Sequence, residues 1–297
     1  MKCDLCPRKC LVDRKKGEKG ICGQTENLKV ARAALHFWEE PCISGDAGSG
    51  AVFFSGCPLH CVFCQNENIA NGTVGKEISV ERLAEIFLEL QEKGANNINL
   101  VTPGHFVPQI TKALDLAKQE GLKLPIVYNT SSYETVETIK RLEGYVDIYL
   151  PDFKYMSPVL SKKYSHAPDY AEVVKAAIAE MVRQTGKAVF VNGDEDNLIL
   201  SGTIVRHLTL PGCMADSMQI LKYLHETYGD MIYISIMNQF TPLSNLEKYP
   251  ELNRRITDEE YETLVDYAIE IGIENGFIQE GDTAEESFIP AFNAHVR

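Results

Sequence analysis

Short, continuous apolar runs alternate along the chain with longer segments whose apolar residues recur at helical spacing. Ala51-Val-Phe-Phe-Ser55 is the first such run, as expected of a parallel strand buried on both faces. Asn97–Val101, Pro125–Tyr128, Val146–Leu150, Thr203–Leu210 and Met231–Ile236 are further candidate strands. Between them, Ser79 is placed to cap a helix carrying Leu83, Phe87 and Leu90. Pro108 suits the start of a helix presenting Ile110, Ala113, Leu114 and Ala117. Val174, Ala177, Ile178 and Met181 mark a third helix. Thr257 with Glu260 reads as a capping box, opening a helix expected to bury Tyr261, Leu264, Val265, Ala268 and Ile269. Six β-α units predict an α/β fold, a parallel sheet with helices outside, either open or curled toward a barrel. In both cases chemistry belongs at the C-terminal ends of the strands. Cys57, Thr102, Asn129, Asp152, Pro211 and Asn238 each follow a predicted strand.

Composition narrows the class. The 297 residues are 44% hydrophobic and 24% charged, which is ordinary globular composition. A net charge of −13 disfavours a general nucleic-acid or anionic-membrane binder. The chain opens Met-Lys-Cys-Asp-Leu-Cys, with no apolar leader, and no stretch approaches the roughly 18 apolar residues of a membrane span. A cytoplasmic protein is therefore expected. Of its nine cysteines, eight lie in the first 64 residues. In a reducing compartment such clustering points to metal binding or catalysis rather than disulfides. It divides the chain into a Cys-rich N-terminal extension, 1–50, and a β-α body, 51–297.

The central motif is Cys57-Pro-Leu-His-Cys61-Val-Phe-Cys64, a C-x3-C-x2-C on the loop after the first predicted strand. Three thiolates on one tight loop can hold three irons of a 4Fe–4S cluster and leave the fourth open to an outside ligand. The plainer alternative is a zinc site completed by a histidine such as His60.

With Phe63 before the last cysteine, this motif resembles that of the radical S-adenosylmethionine (SAM) superfamily. The flanking Glu39-Glu-Pro-Cys-Ile-Ser-Gly45, Gly48–Cys57 and Cys64-Gln-Asn66 more narrowly resemble uncharacterised homologues of pyruvate formate-lyase activating enzyme. The resemblance implies a partial (β/α)6, TIM-like barrel. It implies a cluster whose open iron is chelated by SAM, and an oxidoreductase suited to anaerobic conditions. One electron would cleave SAM to methionine and a 5′-deoxyadenosyl radical that abstracts hydrogen from a substrate.

The same resemblance assigns cofactor-binding roles at the strand ends. Thr102-Pro-Gly-His105 stands where relatives place Gly-Gly-Glu, so Thr102 or His105 would meet the methionyl amino group. Asn129 stands where an activating-enzyme aspartate helps bind a cation beside SAM. Asp152 and Lys154 match an Asp-x-Lys pair that contacts SAM; two residues apart on an extended segment, they point the same way. Arg206 opens an Arg-x4-Pro-Gly stretch whose strand backs the adenine. Asn238 lies where a histidine contacts SAM, and its amide could hydrogen-bond ribose hydroxyls.

Cys3, Cys6, Cys10 and Cys22 form a second constellation suited to an all-thiolate site. Zinc would staple the extension, and a second iron–sulfur cluster would relay electrons. Cys42 and Cys213 read as buried cysteines, and Trp38 as a core aromatic or a cover for the cluster loop.

Three uses of the chemistry remain. The radical could be placed on a protein substrate, a glycyl-radical enzyme. It could modify or rearrange a small molecule or peptide. Or the chain could be a non-catalytic metal scaffold. For the enzymatic readings, flavodoxin or ferredoxin is the electron donor that the resemblance implies.

Overall fold

The computed structural model describes residues 2–194, 197–243 and 246–279. Its strands are β1 (Leu28–His36), β2 (Ser49–Phe54), β3 (Lys76–Ile78), β4 (Ile98–Val101), β5 (Ile126–Thr130), β6 (Ile148–Pro151), β7 (Val189–Phe190), β8 (Ile199–Leu208), β9 (Tyr233–Met237) and β10 (Gly276–Ile278). The sheet runs β10-β9-β8-β6-β5-β4-β2-β1-β3, with β7 attached to β8. From β2 to β10 the neighbours on this path are parallel. β1 is antiparallel to both β2 and β3. The fold is mixed α/β, with a mostly parallel sheet that does not close on itself, as in a partial barrel.

The six strands expected from the apolar runs are β2, β4, β5, β6, β8 and β9. Every residue of β2 and β5 is buried, consistent with helices covering one face and barrel interior the other. The helix Val80–Glu92 begins at Ser79, whose hydroxyl accepts from the Arg82 amide at 3.1 Å. Pro108 lies in the first turn of Val107–Gln119. Asp258–Glu270 opens on the expected capping box, with both of its bonds present.

Three features differ from expectation. Ile269 is 68% exposed, because the buried stripe of its helix is only Tyr261, Leu264 and Ala268 wide. The helix Met214–Tyr228 carries no cap bond at Cys213 and went unread. The expected domain cut at residue 50 falls inside β2, and β1 ahead of it is hydrogen-bonded to that strand. Residues 28–36 are thus built into the sheet, and the connection from β1 to β2 carries the short helix Pro41–Ser44.

The segment after β1 closes the N-terminal end of the barrel. Ile43 and Cys42 of the short helix Pro41–Ser44 pack among Val127, Ile148, Leu150 and Ile204. Asn97 Nδ2 donates to the Ile43 carbonyl at 2.7 Å, and Asn96 Nδ2 to the Ser44 carbonyl at 2.6 Å. This plug holds Glu39 and Glu40, immediately before it, against the site described next.

Candidate active site

The loop after β2 turns sharply. The Cys64 amide donates to the Cys61 carbonyl at 3.1 Å, and the Val62 amide to the Tyr164 carbonyl at 2.8 Å. His60 takes a left-handed backbone, φ +51°, unusual for a residue with a Cβ. The result turns Cys57, Cys61 and Cys64 into the wall of one cavity of about 440 Å³. Phe63 lines the same cavity and anchors the loop, meeting Tyr155, Tyr164 and Phe240 edge-on at 5.9–6.4 Å. Ser165 Oγ donates to Cys61 Sγ at 3.0 Å. Burial, with a smaller contribution from Cys61, pushes the Cys57 thiol up to about 11, and burial with Cys61 and Cys57 pushes the Cys64 thiol to about 12. Three buried soft donors that resist ionising alone suit a group whose own positive charge draws off their protons. The donor set therefore fits an iron–sulfur cluster. Among the described residues, no three His, Cys, Asp or Glu side chains converge to enclose a single metal ion.

Opposite the thiols lies an interlocked polar cradle. Arg206, on β8, gives Nε to Asp152 Oδ1 at 3.0 Å, Nη1 to Glu39 Oε2 at 2.9 Å and Nη2 to Asn129 Oδ1 at 2.6 Å. Lys154 Nζ donates to Asp152 Oδ2 at 2.7 Å. Glu39 Oε1 accepts from Asn99 at 3.0 Å and Asn129 at 3.1 Å. Burial alone would raise the Asp152 carboxyl, but Lys154 and Arg206 hold it below the ordinary carboxylate range. Burial opposes the charge on Lys154 as well, and Asp152 reverses that. Glu40 is buried and raised above its ordinary value by desolvation, and its Oε2 has no hydrogen-bond partner among the described residues.

Of the residues singled out from sequence, Phe63, Thr102, Asn129, Asp152, Lys154 and Arg206 line the cavity with the three cysteines. Thr102 holds φ +56°, a strained conformation of the kind found where a ligand approaches the backbone. His105 and Asn238 do not line it. The His105 ring is buried behind the loop. Its Nε2 is 2.7 Å from the Ser55 carbonyl, and burial pushes its pKa down to about 3. Asn238 is turned toward Gln279, whose Oε1 accepts its amide at 2.9 Å. Gln239 and Met237, on either side of it, line the cavity instead. Cys213, at the start of the helix Met214–Tyr228, is also absent from the wall.

Sequence reasoning missed the roles of Glu39 and Glu40. They precede β2, at the opposite end of the strand from the position where a β-α repeat places its chemistry. The available signal was an acidic pair beside the aromatic run His36-Phe37-Trp38, two members of which, His36 and Trp38, line the cavity.

The N-terminal segment packs on the outside of the cysteine loop. Arg8 donates Nε to the Pro58 carbonyl at 2.9 Å, Nη1 to the His166 carbonyl at 2.6 Å and Nη2 to the Ser165 carbonyl at 3.0 Å. His60 Nε2 is 2.8 Å from the Ile21 carbonyl. A Cβ on Gly56 would sit 2.4 Å from the Cys22 carbonyl oxygen, so only glycine fits before Cys57. Cys3, Cys6, Cys10 and Cys22 share one neighbourhood. Burial pushes the Cys6 thiol up to about 12, with smaller contributions from Cys22, Cys10 and Cys3.

Residues 51–197 match the family model described as the radical SAM superfamily. The chain is 27% identical over 276 residues to an uncharacterized protein of Methanocaldococcus jannaschii, covering 90% of this chain and 74% of that protein. Its fold is similar to that of HydG, a maturase of the FeFe-hydrogenase (TM-score 0.51, 15% identity, 78% of this chain and 52% of that one). It is also similar to methylornithine synthase, PylB (TM-score 0.51, 16% identity, 75% of this chain and 60% of that one). The chain thus spans about half to three fifths of the length of these two solved structures.

Proposed function

The chain belongs to the radical SAM superfamily through its domain at residues 51–197, and on that premise we propose that it cleaves SAM reductively at the cavity between the cysteine loop and the Arg206 cradle. The observation that carries this reading is the joint lining of one cavity by Cys57, Cys61, Cys64, Asp152, Lys154 and Arg206. When bound, a 4Fe–4S cluster on the three thiolates supplies the electron that splits the sulfonium and frees a 5′-deoxyadenosyl radical.

The chain's own groups bind and orient. Asp152, held anionic by two cations, is matched to an ammonium or sulfonium, and Lys154 beside it to a carboxylate. Leu208, Met237 and Phe63 supply apolar wall that excludes water from a reactive radical. Asp152→Asn keeps the shape and removes one negative charge. It is expected to weaken SAM binding about tenfold, or ~1.4 kcal/mol, with cluster iron unchanged. Equilibrium binding to the reconstituted protein measures this, and unchanged affinity removes Asp152 from the SAM site.

Two uses of the radical are open to such a site. Asn129 bears on the choice. Its amide is committed on both sides, Nδ2 to Glu39 and Oδ1 to Arg206, rather than presented to a cation as the activating enzymes' aspartate would be. This supports radical modification of a small molecule or peptide over installation of a glycyl radical. Multiple turnovers of deoxyadenosine per chain with a small substrate fit that use. Stoichiometric release that requires a glycyl-radical partner fits the other.

A thiol-bound centre at Cys3, Cys6, Cys10 and Cys22, zinc or a second cluster, belongs to the same proposal. Its support is the nearness of the four thiols, the burial that raises Cys6 and Cys22, and the left-handed backbone of Lys9 and Leu11, φ +42° and +54°, around Cys10; the four thiols do not yet enclose a single ion and would close on it when it binds. Replacing Cys6 and Cys22 with alanine is expected to remove that metal and leave the iron at Cys57, Cys61 and Cys64. Metal analysis by mass spectrometry checks it, and unchanged zinc and iron removes the second site.

A further inference from the structure

The N-terminal segment is charged unlike the rest of the molecule. Residues 1–27 hold seven Lys or Arg against four Asp or Glu, a net +3, in a chain of net −13. Lys9, Lys15, Lys16 and Lys19 are exposed, and none forms an ion pair among the described residues. Two large apolar side chains stand among them, Leu11 at 53% and Ile21 at 50% exposure. The parts are held together locally. The Ile21 amide donates to Cys10 Sγ at 3.3 Å, and a Cβ on Gly20 would lie 3.2 Å from the same sulfur. Lys9 and Leu11 flank one side of that contact, Lys19 and Ile21 the other. Leu11 keeps φ +54°, a strained backbone that its neighbours must enforce. An exposed apolar centre among side chains that are mostly basic, with Glu18 the acidic exception, has the anatomy of an interface.

Its place on the molecule says what it is for. The Ile21 carbonyl meets His60, and Arg8 holds Pro58, so the patch backs directly on the loop bearing Cys57 and Cys61. The proposed reaction needs one electron delivered from outside to that loop. We propose that the face formed by Lys9, Leu11, Lys15, Lys16, Lys19 and Ile21 docks a small acidic one-electron carrier protein, which reduces the cluster from behind the loop while SAM occupies the cavity in front. The carrier loses one electron, the cluster gains it, and no proton moves. The inference rests on the reading of the site given above. Charge complementarity supplies orientation and encounter rate in a molecule whose overall charge would otherwise repel an acidic partner.

The test uses the reconstituted holoenzyme with flavodoxin as the acidic carrier, and Lys15→Glu/Lys16→Glu/Lys19→Glu as the variant. Lys93→Glu/Lys112→Glu/Lys123→Glu makes the same charge change elsewhere on the surface. Deoxyadenosine formation is followed with reduced flavodoxin and, separately, with dithionite. Binding of oxidised flavodoxin is measured at equilibrium, which needs no turnover. The expected result is a tenfold or greater loss of flavodoxin affinity and flavodoxin-driven rate in the first variant only. The wild-type affinity should fall as salt rises, and dithionite-driven rates should match throughout. Leu11→Ser should weaken flavodoxin binding without altering its salt dependence. Equal flavodoxin binding by the first variant and wild type, or none by wild type, overturns the docking face. Absence of deoxyadenosine with dithionite bears instead on the site itself, and the binding measurement still judges the face.

Discussion

Cys61→Ala is expected to strip the motif of its iron and reduce deoxyadenosine formation to the level given by reductant and SAM alone. Cys61 is the middle of the three thiols and is bonded to Ser165 Oγ on the wall of the cavity. Its loss leaves Cys57 and Cys64 at the two ends of a turn, with no third thiol on the loop. Two thiolates do not retain a core that needs three while keeping one iron open. The fold itself should survive, because the sulfur removed lines a cavity rather than the packed interior. Iron and acid-labile sulfide analysis together with circular dichroism separate these effects. Normal activity in this variant would reject the assignment of the motif.

The largest effect on stability is expected at Arg206. Its guanidinium joins Glu39, Asp152 and Asn129, on the segment before β2 and the ends of β6 and β5, so one side chain ties three parts of the barrel. Arg206 and Glu39 are 13% and 8% exposed, so the pair is shielded from bulk solvent except where it faces the cavity. Arg206→Ala leaves a buried carboxylate uncompensated, a change that costs about 3–5 kcal/mol. Lys154 still answers Asp152, and two amides still answer Glu39, which places the expectation at the lower end of that range. Arg206→Lys should recover only part of it, since an ammonium lacks the fork that reaches three acceptors. Urea denaturation of the apoprotein reads the difference. An alanine variant within about 0.5 kcal/mol of wild type would show that the cradle is not interlocked.

Buried parallel strands and capped helices were legible because each carries a local signature. Ala51–Ser55 is apolar throughout, and Thr257 with Glu260 closes both of its cap bonds. The short strands and β1 were not. β3, β7 and β10 are two or three residues long, too short to show a period, and β1, between β2 and β3, mixes Lys29 and Arg32 with alanines. The site divided along the same line. Asp152 and Lys154, which follow β6, and Asn129 and Arg206, near the C-terminal ends of β5 and β8, line one cavity, as their positions in the sequence suggested. Glu39 and Glu40 reach that wall only because Pro41–Ser44 folds up into the base of the barrel, a long-range arrangement that no window of sequence displays. His105 illustrates the converse. Its place after β4 suggested a ligand contact, but its ring is used to tie the loop to Ser55.

The most direct test of the account is 5′-deoxyadenosine formed by the anaerobically reconstituted wild-type protein, reduced with dithionite and given SAM. The account predicts product that requires both the reductant and the loaded cluster. A protein that carries its cluster, binds SAM and is fully reduced, yet yields no more deoxyadenosine than reductant and SAM alone, would contradict it.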